Sequence, residues 1–358
     1  VDAETRRILC DRRLVEARQG HLIRLRRLFD GQDETDGAFL LCGVSKGGRA
    51  VVGDSPGACV DRALTALAQE AEALLDVSVF RPMAVEFDIY GVHFADKVLG
   101  AEVFDLDGAW QVRPVPWDVG QLGVPSLDTD PTWQMARGLA RAFVAAGVSV
   151  PLFGLPVIAS PLNVAVSLYG QSFLAAMIGH PSAARHDLGV IGDVQAGMHR
   201  WFRANVPADQ LQPVVAASRT QPPGFGQLCG CTTQLVSPAL YREFIAPLDQ
   251  ALLSVYPHGG MIHLCGTHVH HTPAWRDMSP LRAVQVNDRA AEDVETYFAE
   301  LRAGQVLYVN PCEGMPLDRI MAITGGKRVV IVVSKTPPQL RRVGPSYAQT
   351  DGHQRAGP

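Results

Sequence analysis

Met261-Ile-His-Leu-Cys265, Ala283-Val-Gln-Val-Asn287, Val306-Leu-Tyr-Val-Asn310 and Val329-Val-Ile-Val-Val333 are four short apolar, β-rich runs in succession, separated by loops and stretches with helical periodicity. Runs this apolar belong to strands buried on both faces, as in a parallel sheet covered by helices. Working outward, the same alternation extends upstream to Ala38–Cys42, Met83–Asp88, Val150–Gly154 and Gln212–Ala217, eight runs in all. Helices are expected at Cys59–Leu75, Pro131–Ala146, Ser172–Asn205, Ser237–Tyr256, Ala291–Ala303 and Pro316–Thr324. Asp130 before Pro131, and Ser237 before Pro238, read as N-caps followed by first-turn prolines.

Eight strands alternating with helices predict a parallel sheet closed on itself, a (β/α)8 TIM-type barrel, which covers both faces and leaves no open edge. A doubly wound open sheet is the alternative. It would carry a Gly-rich turn after its first strand, and Gly43-Val-Ser-Lys-Gly-Gly48 has neither the dinucleotide nor the P-loop spacing. Ala101–Pro116, with Asp107-Gly108 at its centre, predicts a small β-hairpin inserted after the second strand. An Arg-rich opening (Arg6, Arg7, Arg12, Arg13, Arg18, Arg24, Arg26, Arg27) interleaved with Leu14, Leu22, Leu25 and Leu28 predicts an N-terminal helical extension with a solvated basic face. One barrel domain over 1–344 is expected, with 345–358 a flexible tail.

With 47% hydrophobic and 19% charged residues, the chain can bury a large core. A net charge of −4 argues against a nucleic-acid binder, whose affinity rests on cations neutralising phosphates. No apolar run reaches the ~18–20 residues that span a bilayer, so no membrane is expected as a partner, and a cytoplasmic location is expected. Seven cysteines, an odd number, favour reduced thiols over a disulfide framework.

In a parallel barrel the chemistry sits at the carboxyl ends of the strands. His263 and Cys265, two apart on one strand, point to one face and offer nitrogen and sulfur suited to Zn²⁺. Cys312 lies two strands onward. Alternate strands share an interior layer, which makes it the expected third ligand. Cys229 and Cys231 sit in a loop able to fold over the same mouth, but their C-x-C spacing is tighter than the usual zinc pattern. His268, His270 and His271 read as a solvated loop in which one histidine touches the site. Glu86 and Asp88 share a face at the end of the second strand and are the candidate catalytic carboxylates. For Asp88 a helix cap or salt bridge is an equal reading. Tyr90, Arg219, Asn287, Asn310 and Lys335 are the candidate substrate-binding residues, Arg219 and Lys335 as cations for a substrate carboxylate.

Three stretches resemble the uroporphyrinogen decarboxylase superfamily. Val150-Pro-Leu-Phe-Gly-Leu-Pro156 with Ser160-Pro161 is similar to its third-strand region. Thr232 through Pro247 is similar to its Ser-Pro, aromatic, Glu-Phe, Pro segment, and Met261–Gly266 to the fifth-strand motif of its methyltransferase branch. The resemblance implies a barrel and one of two activities. The decarboxylases share an N-terminal Arg-Gln-Ala-Gly-Arg-Tyr stretch that has no counterpart here. The methyltransferase branch carries a His-x-Cys pair and a later cysteine on zinc, and moves a methyl group between a corrinoid protein and a thiol or another acceptor. His263 and Cys265 match the pair. The later cysteine is expected after the final strand, where this chain has Ser334-Lys335-Thr336; Cys312, Cys229, Cys231 or Glu313 would complete the site.

What the resemblance implies is therefore a zinc-dependent methyltransferase acting on a small-molecule methyl donor or acceptor, with a corrinoid carried by a separate partner protein or else a small-molecule methyl donor in its place. A metal-independent decarboxylase or lyase, with Asp88 gathering the substrate, is the alternative. A homodimer is expected only from the frequency of twofold oligomers.

Overall fold

A computed structural model describes residues 1–32, 37–212 and 217–334. Its twelve strands form two parallel sheets and one antiparallel hairpin. The larger sheet has the order β1 (Phe39–Leu41), β12 (Val329–Val332), β11 (Val306–Val309), β10 (Leu281–Val286), β9 (Gly260–Leu264) and β8 (Gly226–Cys229). The smaller runs β2 (Val44–Arg49), β3 (Met83–Asp88), β6 (Leu152–Gly154) and β7 (Leu211–Gln212). Every residue of β9, β11 and β12 is buried, as expected of strands covered on both sides.

The sheets meet at residues 39–49. β1 pairs with β12, and two residues later β2 pairs with β3. Across that seam Cys42 donates its N–H to Phe80 O, Phe80 to Leu40 O and Val44 to Pro82 O. On the far side β7 and β8 share no ladder among the described residues; glutamines bridge them. Gln221 donates its N–H to the side chain of Gln212, whose amide donates to Gln221 O (3.0 and 2.9 Å), and the Gln221 amide donates to Gly226 O (2.8 Å). The strands and helices thus form an α/β structure of parallel sheets, and the larger of two hydrophobic clusters among the described residues runs from Leu9 to Val332, the smaller being Ala84, Leu152 and Ala217.

Two of these strands lie outside the eight expected runs: β2, which reads Val-Ser-Lys-Gly-Gly-Arg, and β8, which reads Gly-Gln-Leu-Cys. Gln212–Ala217 falls largely outside the described residues, as does the tail. The antiparallel hairpin β4 (Glu102–Leu106) and β5 (Ala109–Arg113) turns at Asp107-Gly108, both in the left-handed region.

Helices Ala3–Leu9 and Arg12–Phe29 open the chain, capped by Asp2 and Asp11. Leu14, Leu22, Leu25 and Leu28 are buried as the periodicity requires. Arg18 is the exception to the solvated basic face: it is 2% exposed, and donates to Ser149 O (2.7 Å), Val150 O (3.2 Å) and Asp209 (3.0 Å). Pro131–Ala146 is one helix, with Asp130 accepting from Trp133 N (2.6 Å). The long stretch Ser172–Asn205 is broken at His180 into Gln171–Gly179 and Pro181–Asn205, because proline cannot continue a preceding helix. No single described helix is long and apolar enough to cross a membrane.

Candidate metal centre at the strand ends

The register of two parallel pairs assembles the site. Cys229 is the partner of His263 across β8 and β9, and Gln285 is the partner of His263 across β9 and β10. Beyond β8 the chain turns through Gly230 to Cys231. A Cβ at Gly230 would come 2.6 Å from the Ile262 side chain, so glycine lets the Cys-Gly-Cys turn lie this close to β9 without moving that side chain. Beyond β9 comes Cys265. Its sulfur lies 3.0 Å from Cys231 Sγ and 2.9 Å from His263 Nε2, and Cys229 Sγ is 3.6 Å from Cys231 Sγ. Among the described residues, Cys229, Cys231 and His263 form a group whose ligand atoms lie within 4.8 Å of one another.

His263 is 4% exposed, and its second nitrogen is fixed. Gln285 donates its amide N–H to Asn310 Oδ1 (2.6 Å), which leaves its carbonyl oxygen to accept from His263 Nδ1. Nδ1 is thus engaged by Gln285, and Nε2 faces Cys265 Sγ (2.9 Å) and the Arg219 guanidinium (3.3 Å).

The three sulfurs share their protons unequally. Hydrogen bonding with Cys231, with His263 and Arg219 nearby, holds Cys265 and Cys229 below the ordinary thiol range, burial opposing both shifts. The same bonds push Cys231 up, since it holds the proton its neighbours use. Arg219 is lowered by burial, against the pull of the three sulfurs and Glu86.

Of the remaining expected site residues, Glu86 is half-buried beside this cluster's edge. Its carboxylate accepts from Ala217 N (2.5 Å) and Ser45 Oγ (2.9 Å), and burial raises it against those bonds and the Arg219 charge. Asp88 belongs to the hairpin. It accepts from Gly91 N (2.6 Å) and from the Trp110 indole (3.0 and 3.1 Å), and Arg49, 3.6 Å away, stacks on that indole. Tyr90 packs on the same indole at 4.9 Å. Asn287 is turned to Asp288 (3.4 Å), Asn310 supports Gln285, and Lys335 lies outside the described residues.

Cys312 is not brought into the sulfur group. It follows β11, with β10 between it and β9, and its thiol is 4.0 Å from Asp288 O. Cys231, the weaker candidate on spacing, is the cysteine that lies beside Cys265, because it crosses from a neighbouring strand that sequence periodicity does not reveal. The histidine loop also differs from expectation: His268 and His271 are both fully buried. His268 faces Gly266 O (2.5 Å) and Cys231 O (3.1 Å), and His271 faces Thr233 O (2.9 Å). They brace the two cysteine loops through backbone carbonyls.

No protein-family model and no curated protein sequence matches the chain. Among solved structures, a methyltransferase from Methanosarcina mazei aligns with a TM-score of 0.60 over 89% of this chain and 95% of its own, at 15% identity. This chain has that protein's fold. The likeness at such low identity concerns the fold alone, and the chemistry must come from the side chains above.

Proposed function

We propose that this chain is a zinc-dependent methyltransferase, a single closed (β/α)8 barrel of the uroporphyrinogen decarboxylase superfamily, which moves a methyl group to or from a thiol or a corrinoid-linked acceptor. The observation that carries this reading is the gathering of Cys229, Cys231 and His263, with ligand atoms within 4.8 Å of one another, and of Cys265, 3.0 Å from Cys231 Sγ and 2.9 Å from His263 Nε2, at the carboxyl ends of two neighbouring parallel strands. Thiolates and a neutral imidazole are the donors zinc takes in tetrahedral sites. Sulfurs on such an ion stand about 3.7 Å apart, given Zn–S bonds of about 2.3 Å. The Cys229–Cys231 separation of 3.6 Å fits directly, and the 3.0 Å pair must open slightly.

His263, Cys265 and Cys231 are assigned as ligands, with Cys229 beside them as the donor a substrate thiol would displace, so that the fourth position stays open to substrate; Cys312 is left out. Gln285 and Asn310 orient the imidazole, the kind of support that raises ligand basicity. Bound zinc supplies the means to hold a thiol as a thiolate nucleophile at neutral pH. Arg219 offsets the negative charge of the sulfurs and binds an anionic group of the substrate. Glu86 is assigned as the group that takes the substrate proton, supported by its burial and raised affinity for protons. Asp88 is assigned to the hairpin, which takes away the gathering role the lyase reading gave it.

The test is methyl transfer from free methylcobalamin to 2-mercaptoethanol, followed by loss of the methyl–cobalt absorbance. Zinc-loaded protein is expected to accelerate the reaction, and chelator-stripped protein to lose that acceleration and regain it with zinc. Turnover unaffected by stripping would sink the zinc-dependent reading.

A further inference from the structure

We infer that Asp249 is a positioning residue for the metal centre, anchoring from within the helix layer the loop that carries Cys229 and Cys231. The inference rests on the proposed metal reading and adds a determinant to it.

Asp249 lies in helix Ala246–Leu253 and is fully buried. Its Oδ1 accepts from Ser160 Oγ (2.8 Å) and its Oδ2 from Tyr241 Oη (3.0 Å), which itself accepts from the Trp275 indole (2.9 Å). Neither donor is a cation. A buried carboxylate with only neutral donors is costly, and an apolar residue would fill the same space at less expense, so packing alone gives no reason for it. Burial raises its carboxyl to about 7, against the two hydroxyl donors.

Both arms lead to the same loop. Ser160, held by its hydroxyl, donates its backbone N–H to Cys229 O (2.9 Å). Tyr241, held by its own hydroxyl, packs its ring 4.5 Å from that of His271, which meets Thr233 O (2.9 Å). The loop is thus gripped at Cys229 and at Thr233, on either side of Cys231, by groups that share one carboxylate. Between Tyr241 and Asp249 the backbone passes through a π-helical turn, Tyr241–Ile245, a departure from α geometry that is rare and recurs at functional sites.

Outer partners of metal ligands set affinity by about 10–100-fold. Tyr241→Phe and Ser160→Ala each remove one hydroxyl from Asp249, and Asp249→Ala removes the node. The zinc dissociation constant, by competition with a chromophoric chelator, is expected to rise about 10-fold or more in the single-hydroxyl variants and further in Asp249→Ala. The Co²⁺-substituted protein should show an altered thiolate charge-transfer band. In metal-free protein, amide exchange at residues 230–233 should quicken in Tyr241→Phe. Asp187→Asn is the control. Asp187 is another fully buried carboxylate and accepts from Gly120 N (2.7 Å) and Leu122 N (3.2 Å), so its loss should lower stability and leave zinc affinity within about twofold. If Tyr241→Phe and Ser160→Ala leave both zinc affinity and loop exchange at the wild-type level, the positioning role is overturned while the metal reading stands. A wild-type protein that binds no zinc overturns both.

Discussion

At the scale of single residues, His263 is the pivot, because its two nitrogens face different tasks. Nε2 meets the sulfurs and Nδ1 is held by Gln285, itself held by Asn310. Gln285→Leu is expected to keep the core filled but free the ring to turn, weakening zinc about 10–100-fold in a chelator competition. Unchanged affinity would mean that the imidazole needs no support. Asp88 has a different job, since its donors all come from the hairpin, the turn at Gly91 and Arg49. Asp88→Ala should loosen the hairpin, red-shift the Trp110 fluorescence and cost about 1–3 kcal/mol, with metal content intact. His263 and Cys265 were legible in the sequence because side chains two apart on a strand share a face, a local rule. Cys231 was not, because its nearness to Cys265 depends on which strands are neighbours.

At the scale of elements, the site depends on how closely β8 lies against β9. A Cβ at Gly260 would stand 2.2 Å from Gly226 O, a backbone atom with no room to yield. Gly260→Ala should therefore push the strands apart, separate Cys229 from His263 and lower both Tm and zinc affinity. Zinc affinity at the wild-type level in a variant with lowered Tm would show that the cysteine loop does not depend on this pairing. The strands with continuous β-branched or alternating runs, such as Met83–Asp88 and Val329–Val332, were readable from pattern alone. β2 and β8 were not: Ser-Lys-Gly-Gly and Gly-Gln-Leu-Cys have little intrinsic strand preference and hold their form through neighbours. The hidden β8 is also why the sequence places Cys229 and Cys231 in a loop able to fold over the mouth, when Cys229 ends a strand. Arg18 escaped for a related reason, since periodicity marks a helix face but not a buried acceptor waiting for one of its cations.

At the scale of the whole molecule, buried histidines set the response to acid. Burial lowers His21, His199 and His271 to about 4, from an ordinary value of 6.5. Each is neutral in the fold and takes up a proton more readily when the chain unfolds. Their contribution is complete above pH 6.5 and is lost as pH falls towards 4, by up to about 3 kcal/mol each. Asp249 acts in the opposite sense. With its carboxyl raised from 3.8 to about 7, its contribution is complete below pH 3.8 and is lost as pH rises through 7. The lowered thiols of Cys229 and Cys265 act with the histidines, and the raised carboxyls of Glu86 and Asp96 act with Asp249; the groups shifted downward predominate, so stability of the metal-free protein should fall between pH 6.5 and 4. His199→Asn, which keeps a partner for Tyr256 Oη, should flatten that slope in denaturant titrations. An unchanged slope would mean that His199 is not the group that titrates.

One zinc held by the cysteines of two neighbouring loops and His263 is the proposal on which the rest depends. It is tested most directly by elemental analysis of the purified protein alongside the variants Cys231→Ala, Cys265→Ala and Cys312→Ala. About one zinc per chain is expected in the wild type and in Cys312→Ala, with loss of the metal in the other two. Zinc absent from the wild type, or lost in Cys312→Ala and kept in Cys231→Ala, would contradict it.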